Sequence, residues 1–427
     1  MSQELELLLE LASRQGASHA EVYQVTSESK PVFFEANRLK QLESSQSVGT
    51  ALRLWQNNRP GLAVAYGKID PKLLVEKAIA LSQLNNFEEI ELATARKAIY
   101  DLGGTTASVS QLIELGEHAI EQLRTEYPEL ICSAELESER ETTTLINSQG
   151  LYCQYRESAL SYYLGAELVR GEDFLEIYDG EYCKTPINID PIVEQIVRRL
   201  SWAKQNVVPP QGNVPVLFTA NAATLLWGTV SSALNGKRIK EKSSPWSSQQ
   251  QQLVVSEKIS LSQQPDRQPY DCPFDDEGTI TQKLNLIEAG VCQRFYSDRA
   301  TARELKIQPT GNGFRPGLDT YPNPSLVNLI VNSGDLSFDD LVARLDDGII
   351  VDRILGGGAD ISGDFSVNVD LGYRVEKGKI TGRVKDTAIA GNVYQVLKQL
   401  ISLGNDAIWN GSCFTPSLIV NGVFVVG

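Results

Sequence analysis

The chain has 427 residues, long enough for two or three domains and a large buried core. Its 42% hydrophobic and 22% charged residues are ordinary globular usage, which excludes disorder, collagen-like repeats and a disulfide scaffold for the whole chain. With 39 Lys and Arg against 54 Asp and Glu, the net charge of −15 argues against general binding of a phosphate backbone.

Residues 4–14 repeat apolar positions at helical spacing, and Gly16 is a natural stop. Strand patterns follow at Ala20–Val25, Val32–Phe34 and Ser47–Trp55, and Arg59-Pro60-Gly61 reads as a turn before the strand Leu62–Tyr66. Asp70-Pro71 opens a helix through Ser82, with Asp70 as cap and Pro71 at the first helical position. Residues 84–108 read as a polar connection and a sub-boundary. An amphipathic helix over Val109–Tyr127 is capped by Ser108 or Ser110, and long strands fill 131–183 around an Asn147–Gly150 hairpin turn. Pro191–Val207 reads as helix.

From Asn213 the character changes. A short buried strand, Val214–Phe218, precedes a bland apolar helix over 220–235. Residues 240–272, rich in Ser, Gln and Lys, read as a mobile or extended segment that orders only on assembly. Strands then recur near 327–332, 348–355, 366–376 and 416–426, with helices over 337–345 and 390–402. The expected fold is α+β in two lobes: an N-terminal α+β lobe over 1–210 and a β-rich C-terminal lobe over 211–427.

Chemistry is constrained by scarcity. His19 and His118 are the two histidines, so a three-histidine metal site cannot come from one chain. Cys132, Cys153, Cys183, Cys272, Cys292 and Cys413 contain no Cys-x-x-Cys pair and read as reduced, mostly buried thiols. The acidic start Met1–Glu6 is unlike a basic secretory signal, and no apolar run reaches membrane-spanning length, so a cytoplasmic protein is expected. His19-Ala-Glu21 lacks the Pro-Cys-x-x-Cys half of a zinc deaminase signature. His118, with Glu114 and Glu121 one turn away on either side, fits a solvated helix face. Gly372–Lys379 has the wrong spacing for a phosphate loop and reads as a hairpin turn, and Gly311–Gly317 reads as a structured loop. Leu355–Ser366 is the densest unusual run: Gly356, Gly357 and Gly358 permit close backbone approach or positive φ, and Asp360 and Asp364 are a weak metal pair.

The run Gly356–Ser366, together with Gly372–Ile380, Ile389-Ala-Gly-Asn392 and Gly404-Asn-Asp406, resembles the TldD/PmbA family of peptidases, also called modulators of DNA gyrase. Gly16–Val22 and Phe274-Asp-Asp-Glu-Gly278 are similar to its pattern too, so the resemblance covers essentially the whole chain. Family members of the TldD kind carry His-Glu-x-x-x-His on a helix, with a C-terminal Cys as a further zinc ligand. The resemblance places Trp227, Gly228 and Ser232 at those three positions and Cys413 at the Cys. Trp and Gly offer no ligand atom and Ser is a poor one. This implies the PmbA (TldE) branch: no zinc in this chain, zinc only in a TldD-like partner, and a heterodimer whose shared chamber takes unfolded or flexible peptides, such as leader peptides or a labile antitoxin. Gly356, Gly357, Gly358, Asp360, Gly363 and Cys413 are the expected chamber or dimer contacts. The other readings are a peptide-binding or regulatory homodimer and an enzyme with another metal arrangement, such as Cys413 with Asp360, which the histidine count disfavours. Direct nucleic-acid binding is not expected.

Overall fold

The computed structural model describes residues 2–427. Helix α1 (Ser2–Arg14) packs on a sheet built from β1 (His19–Glu35), β2 (Arg38–Leu42), β3 (Ser45–Gln56) and β4 (Arg59–Tyr66). The turn between β3 and β4 is Asn57-Asn58, both at positive φ, rather than Arg59-Pro60-Gly61. Asparagine tolerates the left-handed region that such a hairpin needs, and this frees Pro60 and Gly61 to pair inside β4. Helix α2 (Pro71–Ser82) starts where expected, with Asp70 accepting from the Leu73 amide. It lies so close to β4 that a Cβ on Gly61 would sit 1.9 Å from the Ala78 carbonyl oxygen.

The connection over 84–108 contains a strand, β5 (Arg96–Asp101). It pairs in parallel with the first third of β7, so it is an integral edge of the sheet. Helix α3 (Val109–Glu126) has a capping box from Ser108 and Gln111. Strands β6 (Ile131–Asn147), β7 (Leu151–Arg170) and β8 (Asp173–Cys183) then form a long antiparallel meander. The order β4-β3-β1-β6-β7-β5, with β2 on β1 and β8 on β7, completes an eight-stranded sheet.

Helix α4 (Asp190–Trp202) ends five residues earlier than expected, and residues 206–207 form the short strand β9 (Asn206–Val207). Strand β10 (Gly212–Phe218) begins the second half. Helix α5 (Thr224–Ala233) is shorter than the apolar run 220–235, whose first residues form the turn that delivers the chain from β10. In the second sheet, strand Gly348–Leu355 pairs with β10, then strands Leu418–Val426, Thr387–Asn392 and Asp364–Glu376 follow, and the last pairs back to Gly348–Leu355. Five strands thus close into a ring. A third sheet of six short strands ends at the hairpin Ile408–Asn410 and Cys413–Thr415.

The segment 240–272 is not extended or dependent on assembly. Trp246, Val254, Val255, Ile259 and Leu261 are buried in the same apolar cluster as α5. The Ser244 hydroxyl donates to the Ala233 carbonyl at 2.7 Å. Sparse apolar residues among Ser and Gln suffice because each enters a core built by other elements.

The halves share a core. Leu164, Leu175, Ile177 and Ile196 from the first half cluster with Leu217, Ile350, Leu371, Tyr373 and Ile419 from the second. No helix among the described residues is long and apolar enough to cross a membrane.

Candidate functional site

The positions assigned to a zinc motif lie on α5, and their side chains diverge. Trp227 is buried, and its indole N–H donates to the Thr415 hydroxyl at 2.7 Å. Thr415 shares a strand with Cys413, two residues away and so on the same face. Gly228 is exposed, and a Cβ there would meet nothing within 4 Å. Burial pushes the Cys413 thiol up to about 12. Among the described residues no group of three or more His, Cys, Asp or Glu side chains could hold a metal ion. The donor set does not fit zinc, so no step through a metal is derived for this chain.

The glycine-rich run lies beside α5. The Thr229 hydroxyl is 3.5 Å from the Ala359 carbonyl. Gly356, Gly357 and Gly358 are exposed with open space around each, so nothing within the chain requires their lack of a side chain for packing. Gly363 differs: it is buried at φ +89, and a Cβ would press on the Tyr394 ring at 2.6 Å. Asp360 and Asp364 both accept from the Ser362 hydroxyl, a local turn arrangement that draws the Asp360 carboxyl below its ordinary range. His19 opens β1, while His118 sits on the exposed face of α3 against Gln122 at 3.0 Å.

Two adjoining cavities of about 520 and 510 Å3 open between the halves. Asp179, Gly180, Glu181, Asn221, Asp352 and Trp409 line both, making one continuous cleft. Four elements meet there: the end of β8, helix α4, the turn into α5, and the hairpin 408–415. Asn410 ties the hairpin to the turn by donating to the Asn221 carbonyl at 2.9 Å.

Arg199 on α4 is the electrostatic centre. It faces inward with Val193, Ile196 and Leu200. Its Nη1 donates to Asp179 Oδ2 at 2.7 Å, and its Nε lies 3.3 Å from Asp352 Oδ2. Burial raises the Asp179 carboxyl above its ordinary range despite Arg199. Carbonyls of β8 are held by guanidinium groups: Phe174 by Arg383 at 3.0 Å, Glu176 by Arg353 at 2.9 Å, and Tyr178 by Arg199 at 3.5 Å. Beyond Tyr178, residues 180–182 of this strand, which pairs with β7 alone, lie on the cleft.

Sequence reasoning missed Arg199, Asp179 and Asp352. The signal was present for two of them, since Arg199 interrupts the apolar stripe of a helix and Asp352 follows Ile349-Ile350-Val351 in an apolar strand.

A second buried charge network clasps the halves through Phe274–Gly278. Glu21 Oε1 on β1 lies 3.1 Å from both Arg53 on β3 and Arg315. The Arg315 amide donates to Asp276 at 2.7 Å, the Gly313 amide to Asp275 at 2.8 Å, and the Arg299 amide to Glu277 at 2.8 Å. Burial is the leading cause that raises Asp276 to about 6 and Glu277 to about 7, and it raises Glu141 on the neighbouring β6 to about 7. Lys184, its side chain 1% exposed, adds a second clasp between Glu157 at 2.6 Å and Asp271 at 2.5 Å.

Residues 211–427 match the PmbA/TldA metallopeptidase C-terminal domain, and residues 20–82 match PmbA/TldA metallopeptidase domain 1. The chain belongs to the PmbA/TldD family. A metalloprotease PmbA homologue of Buchnera aphidicola is 26% identical over 216 residues, covering 50% of this chain and 46% of that relative. A metalloprotease TldD homologue of Haemophilus influenzae is 29% identical over 231 residues, covering 53% and 47%. The matched regions thus span just under half the length of each of these two relatives. TldE from Thermococcus kodakarensis has the same fold, with a TM-score of 0.90 at 23% identity over 99% of this chain and all of that one. In this PmbA/TldD chain, α5 lies within the residues matched by the C-terminal domain.

Proposed function

We propose that this protein is the PmbA/TldE-like, non-catalytic subunit of a TldD/PmbA-type protease complex that processes unfolded or flexible peptides. One observation carries the reading: α5 holds Trp227, Gly228 and Ser232 at the positions the resemblance assigns to the zinc motif, with the Trp227 indole tied to Thr415, and its first residue, Thr224, borders the cleft. The chain keeps a place for a ligand and lacks the atoms to cut it. Zinc belongs, on this reading, to a TldD-like partner, and the cleft contributes to a chamber completed by that subunit.

The free end of β8 supports a binding role. A peptide that adds beside residues 180–182 pairs through the backbone groups left there, the Gly180 amide being held by Asp179 Oδ1 at 2.8 Å, a mode that suits low sequence specificity. The exposed Gly356–Gly358 loop, beside α5, is the proposed chamber or dimer contact, together with Asp360, Gly363 and Cys413.

The test mixes this chain with a zinc-bearing relative from the same cell. Size-exclusion chromatography reads association, and cleavage of an unstructured peptide is measured for each protein alone and for the pair. Association with zinc only in the relative, and cleavage only when both are present, is the expected result. Cleavage by this chain alone sinks the reading. Peptide binding without association favours a peptide-holding homodimer instead.

A further inference from the structure

Strand β5 gives the first sheet an open edge. It pairs with β7 alone. The Leu102 amide donates to the Arg156 carbonyl at 2.9 Å, which sets the phase of this ladder. Backbone groups alternate sides along a strand, so Arg96, Ala98 and Tyr100 bond β7 while Lys97, Ile99 and Asp101 turn their N–H and C=O outward. Among the described residues no partner takes those outward groups. The carbonyls of β8 are held by arginines, whereas β5 has no such guard.

The two faces of β5 differ. Ala98 and Tyr100 turn to the C-terminal half, where the Tyr100 ring lies 6.2 Å from that of Phe274. Lys97, Ile99 and Asp101 face solvent, and Ile99 is 58% exposed. The same three residues thus present free backbone groups and exposed side chains. Such an edge is a template for another strand.

The order of the three residues identifies that strand. In an antiparallel pair made by a two-fold axis normal to the sheet, opposite residues share a face, so only alternate registers are allowed. An axis through Ile99 sets Ile99 against its own copy, with Lys97 against Asp101 on both sides of it. Every outward group then enters a hydrogen-bonded pair, and two opposite-charge pairs flank an apolar contact. Moving the axis to Ala98 or Tyr100 sets Ile99 against Lys97 or Asp101 instead. Asp101 already meets Arg156 at 2.8 Å, and with its side chain 59% exposed it has room for a second cation. Opposite charges matter at this edge because a chain of net charge −15 repels its own copy over most of its surface.

We infer that β5 is an interface to a second copy of this chain, the two strands pairing antiparallel about Ile99 and joining two eight-stranded sheets into one. The inference goes beyond the peptide-processing reading and does not depend on it.

Sedimentation equilibrium of the full chain is the test. A particle of twice the chain mass is expected by about 100 μM chain, a weak but specific affinity. Ile99→Pro removes one outward amide and leaves the ladder to β7 untouched, so it is expected to give a folded monomer. Lys97→Asp sets two carboxylates face to face on both sides of the axis and is expected to weaken the dimer about tenfold. Ile99→Cys is expected to form a disulfide between copies under air oxidation, beyond any seen in wild type, because the Cα atoms lie about 5.5 Å apart across the axis; Lys97→Cys is expected not to. A monomer at every concentration overturns the inference. If that monomer binds a flexible peptide and loses it in Ile99→Pro, the edge belongs to peptide and the second copy is overturned as its occupant. A dimer that survives in folded Ile99→Pro overturns the edge, and a disulfide at Lys97→Cys in place of Ile99→Cys overturns the register. If Ile99→Pro does not fold, Lys97→Asp decides, and a dimer as strong as wild type overturns the inference.

Discussion

The protein holds two buried clusters of opposite charges, and they handle an excess of carboxylates differently. In the Phe274–Gly278 clasp, Glu21, Asp275, Asp276 and Glu277 crowd around Arg53 and Arg315, sealed between β1, β3 and the C-terminal half. None of the cavities described above is lined by Glu21. Desolvation there is relieved by protons, and Asp276 and Glu277 titrate near 6 and 7. In the cleft the excess is smaller: one guanidinium, Arg199, serves Asp179 and Asp352, and burial raises the Asp179 carboxyl there as well. The two clusters differ in position: one seals the halves together, and the other borders the cleft.

The largest effect that would break this contrast is expected from Arg315→Ala. Removing a cation whose side chain is 3% exposed leaves Glu21 and Asp276 facing each other without it, which costs about 3–5 kcal/mol of stability. Urea denaturation measures this, and a loss below about 1 kcal/mol would mean the clasp is not structural. The protons give the next effect. A carboxyl whose folded pKa lies above its unfolded value of about 4 binds more protons when folded, so its contribution is greatest at low pH and is lost as pH rises. With Asp276, Glu277 and Glu141 raised, the unfolding free energy from urea titrations is expected to fall between about pH 4.5 and 7, by up to about 1.4 kcal/mol per pH unit for each titrating group. Glu277→Gln should flatten that slope, and an unchanged slope counts against the clasp as its origin.

The cleft should respond more gently. Asp352→Asn removes the surplus charge and keeps the shape, so stability is expected to stay within about 1 kcal/mol of wild type. A collapse comparable to Arg315→Ala would erase the distinction between the two clusters. Gly228→Ala, in a helix interior with open space around its Cβ, is expected to gain about 0.5–1 kcal/mol in thermal unfolding. Smallest of all, Gly357→Leu is expected to leave the melting curve of this chain unchanged within about 0.5 kcal/mol. The same substitution should reduce peptide cleavage by the mixed subunits if the loop forms the chamber contact.

Elements defined by local chemistry were readable in the sequence. Asp70-Pro71 and Ser108 state where helices begin, and Asn147–Gly150 states where a hairpin turns. What escaped depends on distant partners. Strand β5, Arg-Lys-Ala-Ile-Tyr-Asp, has no apolar alternation of its own and exists because β7 offers a parallel edge. Trp246 and the short run Val254-Val255 are separated by polar residues and acquire meaning only where a core already stands. The motif positions on α5 rest on resemblance alone, and the structure adds that Trp227 is buried and Gly228 exposed. The charge centre of the cleft joins position 179 to 199 and 352, and no spacing along the chain expresses that meeting.

The guanidinium groups along β8 have one more consequence. An unpaired strand edge invites other chains to continue the sheet, and repeated addition is how soluble proteins become fibrils. Arg383, Arg353 and Arg199 occupy the carbonyls of Phe174, Glu176 and Tyr178, and Asp179 Oδ1 takes the Gly180 amide. An edge whose backbone groups are taken by its own side chains is a poor template for further strands, so β8 can end its sheet without becoming a seed for others.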